Sequence, residues 1–448
     1  MNSTRGMFRA AGRGQIKWVL AGLLVAQVAA QRDAAADILL TEHDDWKLTL
    51  DGRLNGFINY SQGDRTPDGV AEWTAGLFEP TDPNSGKIAV IRVRSGFVQN
   101  VLGFNLSKEV KPGYKIGGRF ALWVGASNER KPILGQPAAV EAREVFVQID
   151  APWGTIQAGR TLGLFGRGGI LMDAEIVHAN GMGSPCSTRS ILGGACGFAG
   201  HGALFPAFNA GFLYSTPSMG GFQITGALFD PSVNSEKSYE ITPYPRLEAQ
   251  IAYRFRNVFK VFAEAMWQRL INSSPITDPV THEPILDAAG KPRNQIADVS
   301  GVSAGASLSV GPLQVGGSFY QGKGLTLIVP IFNTPILTDQ NKILRPGLGF
   351  VGMASLTFGS TKIAGGAGIS QLKLTSSETE PYSQLVPPKQ QLGISIGIYQ
   401  TFFKQVTWAI EYFRGQYIWY NYQQGIDTPI VSPKQNVNFF NTGLTLVF

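Results

Sequence analysis

The sequence predicts an all-β protein, a transmembrane antiparallel up-and-down β-barrel of about sixteen strands with short periplasmic turns and long outer loops. Three observations carry this. Apolar and polar residues alternate through successive segments of strand length, and the connections between those segments alternate between short and long. The chain also ends on Phe448, which closes a segment where Thr442, Leu444, Leu446 and Phe448 share one face. A carboxylate directly behind an apolar strand suits a barrel whose last strand pairs with its first, leaving no open edge. That terminal strand is expected to engage the machinery that inserts barrels into the outer membrane.

The amino-terminal stretch reads as an export signal. Arg5, Arg9, Arg13 and Lys17 precede an apolar core from Trp18 to Val28, and small residues follow. Residues 1–30 are assigned to the signal peptide, with cleavage fitting either after Ala30 or after Ala36. The apolar run is shorter than the ~20 residues a spanning helix needs. The destination this implies, with the barrel pattern behind it, is the cell outer membrane.

The barrel itself is assigned to residues 46–448, and its first strand has the cleanest pattern. In Trp46 to Ser61 the even positions carry Trp46, Leu48, Leu50, Leu54, Ile58 and Tyr60, while Lys47, Thr49, Asp51, Arg53, Asn55 and Asn59 occupy the odd ones. Fourteen steps at ~3.3 Å, tilted by ~40°, cover roughly 35 Å of membrane normal, which puts one aromatic at each interface. The pattern recurs at Tyr114 to Gly125, Arg246 to Arg256, Val302 to Val310 and Leu392 to Phe402. Only Ile88 to Lys108 resists it, being apolar on both faces around Ile88 to Val93.

Connections sort strictly. Short ones include Val110 to Gly113, Pro152 to Gly154, Thr216 to Gly221, Asn257, Gly311 to Pro312 and Phe403 to Lys404; long ones separate them, the longest running from Leu164 to Phe208. Eight long loops and seven short turns describe a barrel and not a soluble sandwich, which would also expose apolar strand faces to water.

Composition agrees. A mean hydropathy of +0.01 is what alternating lipid-facing and lumen-facing residues average to. The 54 glycines and 11% aromatic content suit turns, strands and interface rings. The net charge of +6 falls to +2 once the four basic residues of the leader are removed, so it points to no nucleic-acid partner. Cys186 and Cys196, the two cysteines, share one Gly-rich stretch of an exported chain and are expected to form a disulfide. Without a nearby histidine pair they fall short of a metal site.

The mature chain resembles the trimeric general porins of Gram-negative bacteria. The resemblance rests on Leu48 to Tyr60, Leu102 to Phe120, Arg143 to Arg160, Asn209 to Phe222 and Thr442 to Phe448; the third is the most specific, a strand, an aromatic-Gly turn and a second strand ending in Gly-Arg. Departures are the greater length of this chain and Val101 where the family places arginine before Leu-Gly-Phe. The resemblance implies a homotrimer in outer-membrane lipid that passes ions and small hydrophilic solutes. It also implies a third loop, here residues 164–208, folded into the lumen as a constriction between basic wall residues and acidic loop residues.

Arg53 and Arg160 match the family's wall arginines. Arg53 also faces inward by alternation, whereas alternation from Ile156 and Ala158 turns Arg160 toward lipid unless a bulge near Gly159 flips the register. Arg119 faces inward by alternation, and Asp173 and Glu175 are the nearest loop carboxylates. A Cys186 to Cys196 bridge would either shape the pore or simply stabilise the surface of the loop. Inward charges on the strands lean basic, which gives a weak anion preference in a screened, water-filled channel.

The four histidines, His43, His178, His201 and His282, all fall outside the wall strands and read as solvated loop positions. No Ser-His pair on rigid strands, phosphate loop or zinc motif is legible, so no enzyme, cofactor or metal is expected. The expected function is passive diffusion across the outer membrane. The alternatives are a substrate-specific channel and, from another class, a barrel enzyme or adhesin.

Overall fold

The computed structural model describes residues 37–70, 76–126, 140–186, 194–231, 243–275, 283–329, 337–339, 343–383, 386–423, 425 and 427–448. The expected signal peptide, both cleavage positions and His282 lie outside the described residues. Seven strands precede the third loop: β1 (Ile38–His43), β2 (Trp46–Gly63), β3 (Ile88–Arg94), β4 (Asn100–Lys111), β5 (Tyr114–Val124), β6 (Val140–Ala151) and β7 (Gly154–Leu162). The loop holds α1 (Arg167–Asp173), a π-helical turn at Ala174–His178, and the short strands β8 (Ser184–Pro185) and β9 (Ala195–Gly197). Then follow β10 (Phe208–Ser215), β11 (Phe222–Phe229), β12 (Arg246–Phe255), β13 (Phe259–Pro275), β14 (Asn294–Val310), β15 (Leu313–Lys323), β16 (Pro346–Phe358), β17 (Thr361–Leu372), β18 (Pro388–Phe402), β19 (Val406–Trp419) and β20 (Lys434–Val447).

Apart from β8 and β9, which pair with each other, these strands form one antiparallel sheet that closes on itself. β20 returns to β2, with Arg53 opposite Val447 and Gly63 opposite Val437. Gly52 and Phe448 exchange two backbone hydrogen bonds of 2.7 and 3.0 Å, so the last residue completes the ladder. Two details reconcile an eighteen-strand sheet with a sixteen-strand wall. β1 folds back on the start of β2, Ile38 opposite Leu50, as an extra hairpin arm for which the sequence carried no signal. β3 and β4 are two halves of one wall strand, since β3 pairs with Phe57 to Gly63 of β2 and β4 with Lys47 to Arg53.

The alternation read from the sequence holds along the wall. Leu54 and Ile58 of β2 face outward while Phe57 and Asn59 are buried inside. Outer aromatics cluster at strand ends: Tyr60 stacks on Phe440 at 6.3 Å, and Trp153 on Tyr214 at 6.3 Å beside the Pro152–Trp153 turn. Such rings suit the two membrane interfaces.

The interior departs from the simple barrel rule. One sector is dry, with Phe57, Met353, Tyr399, Phe413, Trp419 and Phe439 of the wall in a single apolar cluster with residues of the third loop. That explains why Ile88 to Val93 is apolar on both faces. Ile91 and Val93 face outward, whereas Ile88 belongs to the inner cluster and Val90 packs against it.

Register settles the Arg160 question. β6 and β7 pair without irregularity, Val145 opposite Arg160, so the side chain of Arg160 follows Ile156 to the outer face and is exposed. Gly159 has φ +129 but does not flip the strand. The shift lies one strand earlier, where Ala121 opposes Glu144 and Leu122 opposes Ala142; the extra residue, Arg143, turns inward beside Glu144. Arg143 sits 5.3 Å over the ring of Trp123. The expected constriction role of Arg160 is therefore corrected, and Arg143 is the inward arginine of that block.

Closure gives a direct test at Gly52, where an added Cβ would stand 2.7 Å from the Phe448 ring and 2.7 Å from the Val101 carbonyl oxygen. Gly52→Val is expected to lower the yield of heat-modifiable folded barrel on semi-native gels. Gly56→Ala, where nothing lies within 4 Å, is expected to leave it unchanged.

Candidate pore constriction

The third loop lies inside the barrel, and residues 164–167, 172–174, 176–186 and 194–204 are buried. A buried irregular segment must find partners for its backbone groups. Wall side chains supply them. Leu164 and Phe165 donate their N–H groups to Glu248 of β12, and Gly166 and Gly168 donate to Glu264 of β13 at 2.8 and 2.7 Å. Met182 and Gly183 donate to Glu411 of β19 at 2.7 and 3.3 Å, and Gly202 donates to Ser370 of β17 at 2.9 Å.

Carbonyls meet cations and amides. Arg53 of β2 donates to Ala179, Lys362 of β17 to Val177 at 3.4 Å, Asn441 of β20 to Gly183 at 2.9 Å, and Arg94 of β3 to Cys186 at 3.4 Å. Glu264 thus meets orphan donors where α1 begins, and Arg53 and Lys362 meet orphan acceptors where the π-helical turn ends. Close approach also needs glycine: at Gly202, with φ +98, a Cβ would stand 2.1 Å from the Phe350 carbonyl oxygen.

Of the residues expected to form the constriction, Arg53 is inward but committed to the loop backbone and 6% exposed. Arg119 forms a network with Asp51 at 2.6 Å, Asn105 at 2.8 Å and Glu144 at 3.2 Å. Asp173 is fully buried, accepting from His178 at 2.6 Å and from the Phe198 N–H at 2.8 Å. Glu175 pairs with Lys260 and accepts from Gln314 at 2.8 Å. Side-chain exposures of 21% for Glu175 and 27% for Lys260 keep that pair in contact with water. Cys186 and Cys196 are bonded and buried where β8 meets β9, with Cα atoms 5.2 Å apart.

The structure corrects the reading of the loop histidines. His178 and His201 are buried, not solvated. Burial pushes His201 down to about 4 among the rings of Phe413 and Tyr417, so it is neutral at physiological pH. His178 stands between Asp173 and Ser395 of β18, whose Oγ lies 3.0 Å from Nε2. The order of contacts is that of a serine hydrolase. Yet Ser395 is 3% exposed and the Phe198 ring packs 5.1 Å from the imidazole, so a substrate carbonyl has no approach to Oγ. Glu248, Glu264, Glu411 and Lys362 are the further functional residues here, and the sequence marked them only as inward charges or not at all.

A model of the Gram-negative porin family matches residues 19–368. The chain belongs to the Gram-negative porin family. Solved structures give the fold independently. The outer membrane channel DcaP of Acinetobacter baumannii superposes with a TM-score of 0.60 at 12% identity, covering 91% of this chain and 99% of that one. The anion-selective porin from Comamonas acidovorans gives 0.55 at 12% identity over 90% and 100%, and OmpT of Vibrio cholerae in its trimer form gives 0.52 at 13% identity over 90% and 100%. No curated protein matches the sequence. The porin is an outer-membrane channel for passive diffusion of small solutes, and family and fold point to a channel and not an enzyme.

Because Glu264 satisfies two loop N–H groups and also accepts from Gln250 at 2.7 Å, its loss strands several buried donors. Glu264→Ala is expected to lower the unfolding free energy by about 2–4 kcal/mol, read by urea unfolding in lipid vesicles. A change within about 0.5 kcal/mol, the usual scale of a surface substitution, would show that these bonds do not hold the loop.

Proposed function

We propose that solutes cross this porin through the wet remainder of the lumen, past the inward charges that stay in contact with water while the others hold the loop. These are the Asp51–Arg119 network, the Glu175–Lys260 pair and half-buried Arg254. The observation that carries the reading is this division of labour. Glu248, Glu264, Glu411, Arg53 and Lys362 are buried against loop backbone, so they cannot screen or bind a passing ion. What remains leans basic and favours a weak anion preference, softened by a screening length of ~8 Å. A substrate-specific channel is the second reading, favoured by the amount of lumen the packed loop fills; saturable flux of one solute would support it.

The assembly we propose is a homotrimer in outer-membrane lipid, reached by export through residues 1–30 and insertion guided by the strand ending at Phe448. Outward Arg160 supports a protein-covered flank, because a cation facing lipid at mid-depth costs ~2–4 kcal/mol. Outward Ile91 and Val93 of β3 add apolar area to the outer face. The proposal includes no enzymatic activity, no cofactor and no nucleic-acid partner.

Planar-bilayer recording tests the channel. Closing in three equal steps with a modest anion preference is expected, and Arg254→Glu is expected to move selectivity toward cations. Absent conductance would overturn the reading, and unchanged selectivity in Arg254→Glu would remove Arg254 from the path.

A further inference from the structure

His178 is surrounded by charges from four elements. Asp173, at the end of α1, gives Oδ1 to the His178 ring and Oδ2 to the Phe198 N–H. Glu411 of β19 lies 4.0 Å from Nε2; its Oε2 accepts from Met182 and Gly183 and its Oε1 from the Tyr399 hydroxyl of β18 at 2.6 Å. Lys362 of β17 reaches the Val177 carbonyl and sits 4.8 Å over the Tyr399 ring. Arg53 of β2 reaches Ala179. On the remaining sides are Phe97, Phe198 and Ser395, none of which carries a charge.

Every oxygen of both carboxylates is occupied by a donor, which is the arrangement of ionised, acceptor-only groups. Two anions share this buried site with Lys362 and, beyond the Ala179 carbonyl, Arg53, and the ring of His178 lies between them, 2.6 Å from Asp173 and 4.0 Å from Glu411. A buried charge without a counter-charge is costly. Set directly between the two carboxylates, His178 is suited to carry a proton on both nitrogens, donating from Nδ1 to Asp173 and from Nε2 to Ser395 while facing Glu411. Asp173 and His178 belong to the loop and Ser395 and Glu411 to the wall, so the charge bridges the two.

We propose that His178 is an imidazolium latch, a positive charge that fastens the constriction loop to strands β18 and β19 and makes the channel sensitive to alkali. The proposal rests on the reading of residues 164–208 as the constriction. Burial disfavours the charged ring, but the Asp173 charge and hydrogen bond, together with Glu411, raise its affinity for protons above the ordinary 6.5. A group so raised contributes its full stabilisation below about pH 6.5 and loses it as the pH climbs through the raised value. Above that point the two carboxylates lose the cation between them, and the loop loses its charged contact with β18 and β19 at His178.

Two measurements on the full-length porin in lipid test the latch. Nitrogen-15 NMR of the imidazole is expected to show both His178 nitrogens protonated near neutral pH; a neutral ring there overturns the proposal without reference to conductance. Single-channel current is expected to be steady on the acid side and to become noisier in a step as the pH rises above 6.5 and the ring gives up its proton. His178→Gln is expected to lose that step, and Ser395→Ala, which keeps the charge and removes one hydrogen bond, to retain it. A step that survives in His178→Gln, or is abolished in Ser395→Ala, overturns the charge as its origin. Should His178→Gln fail to fold, the NMR titration of the unaltered protein still decides.

Discussion

Three wall carboxylates, Glu248, Glu264 and Glu411, accept the N–H groups of the third loop, and the arrangement inside the barrel depends on that bonding. A strand wall satisfies its own backbone through neighbouring strands, but a loop drawn into the lumen brings backbone groups with no such ladder. Water could satisfy them in an open channel. Here the loop is packed and dry, so side chains from the wall must do it. Each net contribution is only ~1 kcal/mol, yet leaving a buried donor unmatched costs more, so the bonds act as a specification of position.

The consequence is a lumen of two kinds. On one side Ile170, Ile176 and Phe198 of the loop join Phe57, Phe413 and Phe439 of the wall in a core like that of a soluble domain. On the other, paired but hydrated groups such as Glu175 and Lys260 face the path of solutes. Counting inward charges along the strands therefore overstates what a permeating ion meets. Glu248, Glu264, Glu411, Arg53 and Lys362 are engaged with the loop, and selectivity falls to the charges that stay hydrated.

The fold was legible because strand burial has a period of two and a barrel sorts its connections by length. β2 shows both, and its partner β20 was found from the alternation ending at Phe448. The difficulties were physical. Ile88 to Val93 looked ambiguous because its inner face meets a dry core, so both faces are apolar for different reasons. Arg160 was pulled inward by family resemblance while alternation pointed outward, and alternation was right because the irregularity sits at Arg143 of β6. Asp173 was legible only as a loop carboxylate and His178 only as a loop histidine; their pairing gave no signal, since they stand five positions apart and the π-helical turn at Ala174–His178 brings their side chains together. Their wall partner, Ser395, is more than two hundred residues away in the chain.

Hydrogen–deuterium exchange across residues 164–186 and 194–204 in lipid nanodiscs tests most directly whether the loop is a fixed, wall-bonded partition. The account predicts amide protection as strong as that of β18 and β19. Exchange as fast as in the exposed outer segment of residues 283–293 would contradict it, because the loop would then be a solvated flap and its bonds to Glu248, Glu264 and Glu411 would not govern the channel.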